Sequence, residues 1–161
     1  MRRFKQELSH EETLSILKTG KVAVMAVEGN DGYPYAVPLN YVYDDGSVYI
    51  HCAKEGHKID ALNRNPLCSL CIIDKDDIVP HEFTSYFRSA IVFGKAEFIK
   101  DEKEKTSALK KLCDKYSPGI DSTADIEKSL QRVCIIRIKI DRSSGKEAIE
   151  LTRHRCHPKQ S

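Results

Sequence analysis

The sequence predicts a mainly β, α+β fold: a six- to seven-stranded antiparallel β-barrel with a few peripheral helices. Two observations predict it. Short β-type runs are separated by tight-turn clusters such as Gly29-Asn-Asp-Gly32 and Asp44-Asp-Gly46. Only one short helix is inserted among the early strands, which argues against the βαβ crossovers of a parallel sheet. The length of 161 residues points to one domain with one core.

The elements follow in order. Ser9-His-Glu-Glu12 is a capping box; Leu14, Ile16 and Leu17 follow, and Gly20 stands where a C′ glycine belongs, so a short helix opens the domain. Residues 21–28 are the first strand, residues 33–43 a long second one, and residues 47–53 the third. Ile59 and Leu62 mark one face of a helix over residues 57–65, stopped before Pro66. Residues 67–74 form a fourth strand, residues 75–82 a polar loop, and residues 85–100 a long fifth strand with a break near Gly94. Residues 102–116 make an amphipathic helix with Leu109 and Leu112 on its apolar side and a solvated, charge-laced face opposite. A helix over residues 123–132 leads into a sixth strand at residues 133–141, and residues 148–152 are a candidate seventh. The domain is expected to span residues 1–152, with a flexible tail at residues 153–161.

Composition excludes several function classes. Lys and Arg number 26 against 24 Asp and Glu, a formal net charge of +2, too balanced to single out nucleic acid or an anionic membrane as partner. No apolar run approaches the ~20 residues of a membrane span and the first residues lack a signal-peptide core, so a soluble cytoplasmic protein is expected. The six cysteines are scattered and stay reduced in that compartment. Cys68-Ser-Leu-Cys71 is formally a CxxC, but no second ligand pair follows at zinc-knuckle spacing. Within the apolar run 67–73 the two thiols point to opposite faces of a strand, so they do not meet. No metal site is expected; residues 153–157, with two His and one Cys, read as a loose terminus that binds metal only adventitiously.

There is no GxGxxG, P-loop, HExxH or nucleophile elbow, which disfavours a Rossmann dinucleotide site and a nucleotide triphosphatase. Two stretches depart from ordinary strand grammar. In Tyr33-Pro-Tyr-Ala-Val-Pro-Leu-Asn-Tyr41, Pro34 and Pro38 cannot donate to a ladder, so one side of this strand is unpaired, bulged or at an edge. The free backbone there suits a flat heteroaromatic ligand, and Asn40 adds an amide; a plain edge strand protected by prolines reads the same way. In Tyr49-Ile-His51-Cys-Ala-Lys-Glu-Gly56-His57-Lys58, a strand ends, turns at Gly56 and enters a helix. A helix N-terminus carrying Lys58 as point charge, with His51 and His57 as donors, suits a phosphate monoester. A planar ring at one end and a phosphate at the other describe flavin mononucleotide (FMN).

These residues carry a resemblance. Residues 31–43, then Tyr49-Ile-His-Cys-Ala53 and Gly56-His-Lys-Ile-Asp-Ala-Leu62, resemble the FMN-binding split-barrel superfamily, and within it the pyridoxamine 5′-phosphate oxidase-related, nitroimidazole-resistance (Nim-type) branch. Asp77-Ile-Val-Pro80, residues 86–94 and residues 112–118 extend the similarity, which covers roughly residues 1–140.

The resemblance implies a split β-barrel and a homodimer with FMN at the subunit interface. It implies that Val37, Pro38, Leu39 and Asn40 lie along the isoalloxazine ring, and that His51, Cys52 and Ala53, with His57 and Lys58, hold the ribityl phosphate. The partner chain would close the site with the strand beginning at Arg88 and Ser89. His51 or His57 would contact a small-molecule substrate beside the flavin, and no catalytic residue is assigned. The Arg-rich phosphate cluster of true pyridoxamine phosphate oxidases is reduced here to His57-Lys58, and their C-terminal Arg/His segment has no counterpart, which argues against vitamin-B6 oxidation. The expected activity is FMN-dependent electron transfer of the flavin reductase or nitroreductase type, from a reduced donor such as NAD(P)H to a small acceptor such as a nitro compound. A non-catalytic flavin- or haem-binding protein on the same barrel is the alternative.

Overall fold

The computed structural model describes residues 4–156, with side chains through Thr152. After a 3-10 turn at Phe4–Gln6 come α1 (His10–Thr19), β1 (Ala23–Glu28), β2 (Pro34–Leu39), β3 (Val42–Asp44), β4 (Ser47–Ala53) and α2 (His57–Arg64). β5 (Leu67–Val79), β6 (Thr84–Phe98), α3 (Glu102–Tyr116), α4 (Thr123–Leu130), β7 (Val133–Glu147) and α5 (Ile149–Cys156) complete it. The seven strands form one sheet in the order β2-β1-β5-β6-β7-β4-β3, each neighbouring pair antiparallel. The two end strands, β2 and β3, are joined by Asn40 and Tyr41 alone, so their linked ends lie within about 11 Å, three Cα steps. A sheet whose outer edges are tied at one point curls into a barrel that stays split elsewhere.

Alternation along the strands supplies the core. Met25 and Val27 of β1, Val48 and Ile50 of β4, Leu70 and Ile72 of β5, Val92 of β6 and Ile136 and Ile138 of β7 point inward and are buried. Ile16 and Leu17 of α1 and Ile59 and Leu62 of α2 pack onto the same core. Leu109 of α3 and Ile126 of α4 bury Ile135 in a second cluster outside the barrel.

Most of the expected elements stand, and the differences have physical causes. Residues 33–43 divide into β2 and β3, because the chain turns the barrel corner at Asn40-Tyr41. The expected polar loop at residues 75–82 is largely strand: β5 runs on to Val79 against Thr84–Arg88, as a ribbon whose residues are exposed or half-buried, none fully buried. With no face to bury, the ribbon carries no apolar alternation to reveal it. β7 likewise continues through polar residues to Glu147, along the length of β6. The candidate strand at residues 148–152 is instead the start of α5, which runs to Cys156 and across the expected start of the tail. The register of β6 slips between Phe93 and Gly94, where the break is expected.

Helix α1 has the full capping box: the Ser9 side chain accepts from the Glu12 N–H, and Glu12 accepts from the Ser9 N–H. Gly20 does not adopt the left-handed cap conformation (φ −59°). Its reason is space, because a Cβ there would stand 2.5 Å from Ile72 Cγ2 and 2.7 Å from the Tyr41 hydroxyl oxygen. Gly20→Ala is therefore expected to destabilise the fold by about 1–3 kcal/mol, the range for overpacking a filled core, read from the midpoint of urea unfolding.

Candidate functional site

The edge reading of the proline-containing strand agrees with the sheet order. β2 pairs only with β1, and Pro34, Ala36 and Pro38 alternate outward along it while Tyr35, Val37 and Leu39 pack toward the barrel. Among the described residues, its other side has no strand partner. Asn40 follows, exposed, with its amide Nδ2 donating to the Lys21 carbonyl at 3.2 Å, so part of that amide is used to hold the corner.

β4 delivers the second group. His51 points outward and is exposed, opposite Ile135 of β7; Cys52 turns to the inner face, opposite Cys134; Ala53 ends the strand opposite Val133. His51 and Asn40 share a cavity of about 330 Å³ walled by Leu109, Leu112 and Tyr116 of α3 and Ile126 of α4. Its polar groups include Cys113, Asp125 and Ser129. This roof of α3 and α4 was not legible as part of a site; the only signal was the similarity at residues 112–118.

Gly56 introduces α2 with φ +125°, a backbone that side chains resist, and gives the helix no side-chain cap. The first-turn N–H groups are thus left for another acceptor. The His57 ring packs on Tyr35 of β2, centroids 4.4 Å apart, and its Nε2 is buried with no hydrogen-bond partner. Lys58 has no carboxylate partner among the described residues and lies close enough to Cys52 to favour the thiolate. Burial outweighs that pull and pushes the Cys52 thiol up to about 11, so it is protonated at neutral pH.

The chain thus brings the free edge of β2, the end of β4 and the uncapped start of α2 to one region. It does not bring Arg88 and Ser89 there. Arg88 pairs with Glu147 at one end of the 15-residue β7, whereas Ala53 pairs with Val133 at the other. Arg88 Nε lies 3.6 Å from Asp74 Oδ2 and makes no hydrogen bond.

The corner between β2 and β3 is held by α3. The Tyr116 hydroxyl accepts from the Tyr41 N–H at 2.9 Å and lies 2.7 and 2.8 Å from the carbonyls of Lys21 and Tyr41. Lys115 Nζ donates to the Tyr41 carbonyl at 3.0 Å and sits 3.9 Å from the centre of the Tyr41 ring. Burial lowers the Lys115 ammonium to about 8.

Cys68 and Cys71 occupy opposite faces of β5 and cannot pair, as expected. Among the described residues, no group of three or more His, Cys, Asp or Glu side chains could hold a metal ion. The side chains of residues 153–157, expected to bind metal only adventitiously, lie outside the described ones. No described helix is long and apolar enough to cross a membrane.

The fold defines a split-barrel protein whose second helix starts without a side-chain cap beside the free edge of β2. Residues 9–147 match the family described as pyridoxamine 5′-phosphate oxidase, and the chain belongs to that family, one of flavin-linked oxidoreductase type. Among solved structures it resembles a candidate 5-nitroimidazole antibiotic resistance protein of Bacteroides thetaiotaomicron, at 27% identity, TM-score 0.76, covering 88% of this chain and 86% of that one. An FAD-binding protein of Mesorhizobium loti aligns at 29% identity and TM-score 0.61, over 89% and 97% of the two chains. An FAD- and haem-binding protein of Mycobacterium smegmatis aligns at 26% and 0.74, over 89% and 73%. No curated protein matches the sequence.

Two measurements check the corner. Tyr116→Phe removes a hydroxyl shared by three backbone groups and is expected to cost about 1–3 kcal/mol of stability. Between about pH 8 and 10.5 the unfolded chain keeps a proton that folded Lys115 has released, so this group's contribution to stability rises with pH. Urea unfolding at about pH 7.5 and about pH 9.5 should show that gain in the wild type and its loss in Lys115→Met.

Proposed function

We propose that the protein is an FMN-dependent oxidoreductase of the flavin reductase or nitroreductase type, passing electrons from a reduced donor such as NAD(P)H to a small acceptor such as a nitro compound. The observation that carries it is the uncapped start of α2, with His57 and Lys58 on it, beside the free edge of β2. The residues fit the cofactor: the buried, partnerless His57 Nε2, the first-turn N–H groups and the unpaired Lys58 are donors suited to one phosphate monoester. Bound there, FMN supplies the hydride and electron chemistry. The backbone edge of Val37, Pro38, Leu39 and Asn40 orients the ring, and His51, Cys52 and Ala53, with His57 and Lys58, hold the ribityl phosphate. The cavity under α3 and α4, which His51 helps to line, would seat the acceptor and exclude water.

The proposal includes a homodimer. The register aligns Pro38, Val24, Cys71 and Ile91 in one outward row and Ala36, Ala26, Ser69 and Phe93 in the next. Leu67 and Ile73 extend this face and are 58% and 59% exposed. A contiguous apolar sheet face that reaches the β2 edge suits a self-complementary twofold contact. Such a contact would bring the partner's Arg88 and Ser89 to the site that the chain leaves without them.

The purified protein is expected to be yellow, with bands near about 370 and about 450 nm that bleach when NADH or NADPH is added anaerobically. A colourless protein that takes up neither FMN nor FAD refutes the reading, and an intense Soret band would establish the haem-binding alternative. Lys58→Ala is expected to weaken FMN roughly 5- to 150-fold, equivalent to ~1–3 kcal/mol, by fluorescence titration. Light scattering should report a dimer, and Ile73→Glu should yield monomers that lose the flavin.

A further inference from the structure

Of the cysteines in the described part of the chain, Cys68 faces Gly94, Cys71 faces Val24 and Ile91, and Cys113 lies on α3. Cys52 and Cys134 alone face each other: they are register partners in the β4–β7 ladder, one pair in from its end. Residues directly opposite in an antiparallel pair project to the same face with Cα atoms about 4.5–5.5 Å apart. That lies inside the span of about 4.4–6.8 Å that a disulfide bridges. The two side chains are close enough for each thiol to influence the other's titration.

Their surroundings differ. Both thiols are half-buried, but Cys52 lies beside Lys58, whereas Cys134 lines a hollow of about 170 Å³ together with Lys54 and Lys105, which Cys52 does not line. Lys105, Lys58 and Lys54 all act on the Cys134 thiol, partly offsetting the upward effect of its burial. An anionic reagent is drawn to that hollow, and Cys134 is the thiol it meets first.

We propose that Cys52 and Cys134 are a redox couple, a cross-strand dithiol converted to an intramolecular disulfide by a small disulfide bearing carboxylates. Cys134 loses its proton and its thiolate attacks one sulfur of the reagent, forming a mixed disulfide; the first reagent thiolate departs and takes up a proton. Cys52 then loses its proton and attacks the Cys134 sulfur, and the second reagent thiolate departs and is protonated. Two protein thiols are oxidised by two electrons and one reagent disulfide is reduced to two thiols. The couple needs only the β4–β7 register, although Cys52 also lies in the segment proposed to hold the flavin phosphate.

The test uses the reduced full-length protein, incubated without oxygen with oxidised glutathione and then alkylated with iodoacetamide in denaturant. Two of its six cysteines should resist alkylation, and peptide mapping should give one cross-link, Cys52 to Cys134. Cys52→Ser and Cys134→Ser should each abolish it. The double change Lys54→Glu with Lys105→Glu should slow oxidised glutathione about 3- to 10-fold and leave neutral hydroxyethyl disulfide unaffected. Six alkylated cysteines, a persistent glutathione adduct on Cys134, a bond between any other pair, or equal slowing of both reagents overturns the proposal.

Discussion

The backbone corner at Asn40-Tyr41 is the constraint on which the barrel depends. It joins the two end strands of the sheet, and its geometry is held from both sides. Tyr41 is fully buried, with its hydroxyl 3.4 Å from the Ile16 carbonyl and against Gly20, where any larger residue would displace it. From outside, Tyr116 and Lys115 at the end of α3 occupy the backbone groups of Tyr41 and Lys21 that no strand pairs. Buried backbone groups left without partners would cost more than most single contacts contribute, so this small cluster carries much of the closure.

The same corner creates the site. Because β2 becomes an edge at the point where the barrel stays split, its outer backbone is available to a ligand, and prolines at Pro34 and Pro38 protect it from pairing with another strand. β4 follows directly and ends beside α2, which brings His51, His57 and Lys58 within one neighbourhood. The helix α3 that holds the corner also roofs the cavity at Asn40 and His51. Closure of the fold and shape of the site therefore rest on the same residues, and changes at Tyr116 bear on both.

Local chemistry was the legible part. The Ser9 capping box, the paired turns, the alternation in β1 and β4 and the Gly56-His57-Lys58 helix start are encoded by neighbours in sequence, so they could be read directly. Elements without a buried apolar face could not. The ribbon at the ends of β5 and β6 and the polar half of β7 are strands because long partners hold them, not because of their own pattern. Gly20 ends α1 as read, its N–H donating to the Ile16 carbonyl, but the need for glycine comes from Ile72 and Tyr41, distant in sequence, and not from a left-handed backbone.

By itself the sequence determined the class of fold, the edge character of Pro34–Leu39 and the start of α2 after Gly56, because turn residues, prolines and glycines act through their own backbone. Only the tertiary structure decided that α3 and α4 wall the cavity, that Cys52 stands opposite Cys134, and that Arg88 and Ser89 stand far from Ala53. Those are matters of strand register and sheet order. They are fixed when the whole barrel closes, and no local stretch of residues encodes them.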